Sequence, residues 1–117
     1  ILDAYNANPT SMMAALQNFI QSNSPNKIVF LGDMFELGIT SEEEHQYISD
    51  YLKKYLDGQC YLIGNAFNKT TSNMANIKKY PSFENLKPVL ESTSFLNAHV
   101  LIKASRGMAL ERILNFL

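Results

Sequence analysis

The sequence predicts an α/β fold: a three-layer α/β/α sandwich around a Rossmann-like, mostly parallel sheet of about five to six strands. Three observations predict it. Short apolar runs show no polar alternation, as expected of strands covered on both faces. Stretches of helical periodicity separate those runs. The segments after the runs are polar, and in a parallel sheet such segments collect at the carboxyl edge, where ligands bind.

The elements follow in order. Ile1-Leu2 opens the chain as a strand already under way. A first helix spans about Pro9 to Gln21, with proline at its first position and Met12, Leu16, Phe19 and Ile20 as its apolar stripe. Ile28-Val29-Phe30-Leu31 is the second strand. A second helix starts with a capping box, Ser41 as cap and Glu44 three residues on. Ile48, Tyr51, Leu52, Tyr55 and Leu56 line its buried face, and Asp57-Gly58 ends it. Cys60-Tyr61-Leu62-Ile63 is a third strand, and the polar stretch 65–76 has room for a short helix. Ile77-Lys78-Lys79-Tyr80 reads as a strand near an edge, flanked by Lys79 and Pro81. Between Ser82 and Phe95 a helix is expected to start near Pro88, since proline is unfavourable inside one. His99-Val100-Leu101-Ile102 is the last strand. A final helix begins near Gly107, with Leu110, Ile113, Leu114 and Leu117 as its stripe.

At 117 residues the chain makes one domain. Its 46% hydrophobic and 18% charged content is that of an ordinary globular protein. A net charge of −1, with basic residues scattered, argues against a nucleic-acid or anionic-membrane surface. No apolar run approaches the roughly 20 residues of a membrane helix. Cys60 has no partner for an internal disulfide and sits in an apolar run, so it reads as a buried, inert thiol suited to a reducing cytoplasm. The abrupt start, without an initiator Met or signal peptide, suggests a domain excised from a longer chain.

Four polar turns carry the chemistry. In Asp3-Ala4-Tyr5-Asn6-Ala7-Asn8-Pro9, Asp3 can accept hydrogen bonds from a sugar diol, Tyr5 can stack on a ring, and Asn6 and Asn8 can meet phosphate or amide groups. Helix capping explains Asn8 and Pro9 equally well, but leaves Asp3, Tyr5 and Asn6 without a role. In Leu31-Gly32-Asp33-Met34-Phe35-Glu36-Leu37-Gly38, the glycine allows a sharp turn, and Asp33 and Glu36 can hold a cation or an ammonium group, or orient a loop. The third turn runs from Gly64 to Asn68. The fourth, Lys103-Ala104-Ser105-Arg106-Gly107-Met108, puts two cations and a hydroxyl before a helix. A cation there opposes the helix dipole unless an anion joins it, and Arg106 offers a bidentate fork for carboxylate or phosphate. His45 lies on the apolar side of the second helix's first turn, as a buried structural histidine or a site residue facing the rim. His99 reads as structural. No HxxxH pair and no second cysteine supports a protein-built zinc site. Neither GxxxxGK[ST], GxGxxG after a strand, nor GxSxG occurs, so the chain has binding chemistry without an evident catalytic engine.

These motifs, taken with Ser11-Met12 and Glu111, resemble in order and spacing the C-terminal domain of the Mur ligases along essentially the whole chain. Within that family the resemblance is nearest to the ligases that join D-Ala-D-Ala to UDP-MurNAc-tripeptide. It implies a lid and substrate-binding domain that closes on an upstream central ATPase domain of the same chain. It further implies ATP and Mg²⁺ bound mainly by that central domain, an acyl-phosphate intermediate, and a cytoplasmic setting in peptidoglycan precursor synthesis. By resemblance, Asp3, Tyr5, Asn6 and Asn8 are nucleotide neighbours. Lys103, Ser105 and Arg106 receive the dipeptide carboxylate or steady the acyl phosphate, and Asp33, Glu36 and His45 stand near the incoming amine. Lys103 and His45 are the two residues with a possible catalytic part. One departure is Ala104, where similar sequences have glycine. A positive φ there would cost alanine about 1 kcal/mol, so an unstrained backbone is expected. The alternative reading of the chain is a stand-alone Rossmann-like nucleotide- or anion-binding module without ligase activity. A third is a non-catalytic interaction domain.

Overall fold

A computed structural model describes Leu2–Asp3 and residues 7–117, with Asp3 described by its backbone alone. Five parallel strands form one sheet in the order β1-β5-β2-β3-β4: β1 Leu2–Asp3, β2 Lys27–Gly32, β3 Gln59–Ile63, β4 Ile77–Tyr80 and β5 His99–Lys103. This is the lower of the two strand counts expected, and β4 is at the edge as its lysines and proline indicate. The helices are α1 Pro9–Gln21, α2 Ser41–Tyr55, α3 Asn65–Asn68 and α4 Phe83–Ser92.

The chain steps outward from β2 to β3 to β4, then returns across both to insert β5 between β1 and β2. Reversing the direction of a crossover while keeping it right-handed requires the connecting helix to change face. The two cores show that change. Met12, Leu16 and Phe19 of α1, Ile48 and Leu52 of α2 and Phe67 of α3 pack with Val29, Leu31, Leu62 and Leu101 on one face. Leu86 and Leu90 of α4, with Leu110 and Ile113, pack with Phe30, Ile63 and Ile102 on the other. Each such side chain contributes on the order of 1.5–3 kcal/mol on burial. Cys60 is 1% exposed, and burial pushes its thiol pKa well above the ordinary range, as an inert thiol requires.

Four expectations are corrected. Ser41 does not cap α2. A 3-10 turn, Gly38–Thr40, runs into the helix, so Ser41 already has helical dihedrals and no side chain caps the end. Tyr55 is half exposed, lying against Tyr51 and the Lys54 ammonium at the margin of the helix, while Ile48, Leu52 and Leu56 are buried. The helix before β5 starts at Phe83, capped by the Ser82 side chain, and carries Pro88 inside it. Pro88 faces solvent, where the Glu84 carbonyl that lacks its N–H donor can bond to water. Pro88→Ala restores that bond and should raise stability by about 1–2 kcal/mol in thermal unfolding. An unchanged midpoint would mean that the first turn contributes nothing.

The C-terminal segment is 3-10 rather than α-helical, as two turns, Arg106–Met108 and Leu110–Phe116, joined at a left-handed Ala109. With three residues per turn, Leu110, Ile113 and Phe116 share the buried face. Leu114 and Leu117 are each 49% exposed, against the α-helical stripe expected.

Candidate functional site at the carboxyl edge of the sheet

Because all five strands are parallel, the end of β1 and the turns after β2, β3, β4 and β5 lie at one edge. Asp3 ends β1 in register with Lys103 of β5, and Lys103 is in register with Leu31 of β2. The first residue of the first motif and the first residue of the last are therefore neighbours along the sheet. Tyr5, Asn6 and the Asp3 side chain lie outside the described residues. Asn8 is the N-cap of α1. Its Oδ1 accepts from the Ser11 N–H at 2.9 Å, and Ser11 Oγ accepts from the Asn8 N–H at 3.1 Å.

Asp33 is an internal clamp as well as a rim residue. Its Oδ2 accepts from the Ala66 N–H at 2.9 Å and its Oδ1 from the Phe67 N–H at 3.0 Å, so it supplies the charge that the first turn of α3 lacks. Gly64 makes the approach possible. Its φ of +124° and ψ of 166° lie in a region that only glycine occupies readily, and a Cβ there would sit 2.3 Å from Asp33 Cγ.

His45 is completely buried, and both ring nitrogens are engaged. Nε2 accepts from the Met34 N–H at 3.0 Å, which places the hydrogen on Nδ1, 2.7 Å from the Ser41 carbonyl oxygen. Its ring meets Phe67 edge-on at 4.6 Å. This geometry makes His45 a positioning residue that anchors the loop after β2 to α2. Both ring nitrogens are thereby committed to backbone groups.

Ser105 joins three turns. Its Oγ accepts from the Phe35 N–H at 2.9 Å and donates to the Ala7 carbonyl at 3.5 Å, while its own N–H donates to the Asp33 carbonyl at 3.2 Å. Lys103 is 1% exposed, and Arg106 is exposed at the start of its 3-10 turn. Glu36 is exposed in a left-handed conformation, φ +64°. Glu111 is half-buried, with Oε2 lacking a hydrogen-bond partner. Ala104 is buried and has no positive φ, so the position is unstrained as expected. The Ala104 methyl takes up the space beside Gly32, where a Cβ would lie 2.6 Å from the Ala104 Cβ. His99 meets Phe19 at 4.8 Å with the rings tilted by 48°, a packing contact.

A cavity of about 250 Å³ opens beyond β2, β3 and β4 against the C-terminal turns, lined by Asp33, Phe35, Asn65, Ser82, Glu84 and Arg112 among others. Phe35 falls within the second motif but was given no role, and Glu84 and Arg112 lie in no motif. A larger groove of about 670 Å³ lies between α2 and α3, lined by Glu42, Glu43, Gln46, Tyr47, Asp50 and Lys69 with their neighbours. Of the motif turns it touches only the third, through Ala66. Among the described residues no three His, Cys, Asp or Glu side chains converge to hold a metal ion.

A parallel sheet with helices on both faces and polar turns tied together at its carboxyl edge defines an α/β ligand-binding domain. The family model for the Mur ligase, glutamate ligase domain matches residues 1–111, and the chain belongs to that family. It is 33% identical over 122 residues, 99% of this chain and 26% of the relative, to the UDP-N-acetylmuramoyl-tripeptide–D-alanyl-D-alanine ligase of Rickettsia prowazekii. It is 32% identical to the Treponema pallidum ligase of the same name, over 97% of this chain and 26% of that one. Among solved structures, the MurF ligase of Thermotoga maritima in complex with ADP superimposes with a TM-score of 0.77 at 27% identity, covering 97% of this chain and 26% of that one. A MurF structure from Acinetobacter baumannii gives 0.80 at 28% identity, covering 96% and 26%. The chain thus spans about a quarter of the length of these relatives. No helix of the described residues is long and apolar enough to cross a membrane.

Proposed function

We propose that this chain is the C-terminal, substrate-binding domain of an ATP-dependent ligase. The ligase joins D-Ala-D-Ala to UDP-MurNAc-tripeptide through an acyl phosphate, in the cytoplasm, during peptidoglycan precursor synthesis. The observation that carries this reading is the convergence of the motif turns on one edge, with Ser105 bonded to the turns after both β1 and β2. That edge is half of a site. It has anchored turns and polar groups but no phosphate loop, so an upstream central ATPase domain of the same chain supplies ATP and Mg²⁺ binding. The names of the relatives support the substrates.

In this reading the domain closes on its partner and keeps water from the acyl phosphate until the amine attacks. Asp3, Tyr5, Asn6 and Asn8 neighbour the nucleotide. Arg106, exposed beside the buried Lys103 and Ser105, steadies the acyl phosphate, while Asp33 and His45 hold the loops that frame the amine and Glu36 stands at their outer rim. No metal step is assigned to this domain, whose described carboxylates are dispersed.

Phosphate release by the full-length protein, supplied with ATP, Mg²⁺ and UDP-MurNAc-tripeptide, should depend on D-Ala-D-Ala. Release without the dipeptide, or none with it, overturns the proposal in favour of a nucleotide- or anion-binding module. Arg106→Ala should lower kcat by about 10-fold or more if a charge-assisted contact to the reacting phosphate is lost.

A further inference from the structure

Arg112 lies one residue past the segment the family model matches, and its side chain is held unusually firmly for a surface arginine. Its Nε donates to the Ala109 carbonyl at 2.8 Å and its Nη2 to the Met108 carbonyl at 3.1 Å. The guanidinium plane lies 4.1 Å from the centre of the Phe83 ring. These contacts occupy one edge of the fork. The Nη1/Nη2 end remains, with Glu84 Oε2 at 3.9 Å, beyond hydrogen-bonding distance, on a side chain that is 76% exposed. A guanidinium already fixed in this way loses little further freedom when an anion binds it.

The 250 Å³ cavity beside Arg112 restricts what that anion can be. Glu84 lines it within 3.9 Å of Arg112, while both oxygens of Asp33 are taken by the Ala66 and Phe67 N–H groups, so the adjacent charges complement a zwitterion, Arg112 facing a carboxylate and Glu84 an ammonium. Phe35, Met108 and Pro81 add apolar wall for small aliphatic side chains.

We propose that this cavity binds a small zwitterionic amino acid or dipeptide, with the ligand carboxylate on the Nη1/Nη2 end of Arg112. The inference rests on the ligase reading above and refines it. The carboxylate of the incoming dipeptide goes to Arg112, which leaves Arg106 for the phosphate.

The test uses the full-length protein with D-Ala-D-Ala and its C-terminal amide, which lacks the carboxylate. The unsubstituted protein should use the amide with a kcat/KM about 10-fold or more lower. Arg112→Gln should raise the KM for D-Ala-D-Ala by a similar factor, leave the KM for ATP within about twofold, and leave the already poor use of the amide unchanged. Arg112→Lys, which keeps a charge over Phe83, should recover only part of the loss. Equal use of dipeptide and amide by the unsubstituted protein, a measurement that needs no variant to fold, overturns the inference. So does an Arg112→Gln loss that is the same for both ligands. Absence of any dipeptide-dependent turnover in the unsubstituted protein instead removes the ligase reading, and this inference with it.

Discussion

Gly64→Ala should lower the free energy of unfolding by about 3 kcal/mol or more, the sum of two costs with separate origins. The backbone cost arises because φ +124° and ψ 166° are open to glycine and closed to alanine. The packing cost arises because the new methyl would lie 2.3–2.5 Å from the Asp33 carboxylate. Moving Asp33 aside removes the acceptors of the Ala66 and Phe67 N–H groups, which uncaps α3. Chemical denaturation of Gly64→Ala, Asp33→Ala and the double variant separates the terms. The double variant should be less unstable than the two single losses added together, because the clash disappears with the carboxylate. Strict additivity would show that Gly64 and Asp33 are not in contact as described.

His45→Ala should cost about 3 kcal/mol or more. It empties a fully buried volume against Phe67 and strips partners from the Met34 N–H and the Ser41 carbonyl. His45→Phe fills the volume but restores neither hydrogen bond, so the loss it retains measures the polar part, about 1–3 kcal/mol. Hydrogen exchange offers a local readout, since the Met34 amide should exchange faster in both variants. Protection equal to that of the unsubstituted protein would mean that the Met34 amide is held by something other than the ring. Because Met34 precedes Phe35 and Glu36, the same variants should loosen the loop that frames the cavity, and the KM for the amine substrate should rise with them.

Much of the rim was legible because it depends on local patterns. Glycines after strands, polar turns and the run from Lys103 to Met108 are visible without a fold, and parallel-sheet geometry alone brings them to one edge. What the residues do once there was not legible. Ser105 and Asp33 read as groups facing a ligand, yet each is bonded to backbone on other turns, through contacts with partners 98 and 33 residues away in the chain. Arg112 shows the reverse. It lies in no sequence motif, yet it lines the cavity, three residues past the left-handed Ala109 and with its guanidinium over Phe83.

Taken alone, the order of apolar runs and amphipathic stretches determined the layers and the strand positions, and the polar motifs carried the resemblance to the family, because hydrophobic periodicity and turn chemistry are properties of neighbouring residues. Tertiary structure decided how individual ends and side chains were used. A 3-10 geometry at the C-terminus turned Leu114 and Leu117 to solvent and Phe116 inward, since three residues per turn rotate the stripe that 3.6 would have kept together. Likewise His45 became an anchor, because the two groups that satisfy its ring come from different segments and meet only when α2 packs beside β2.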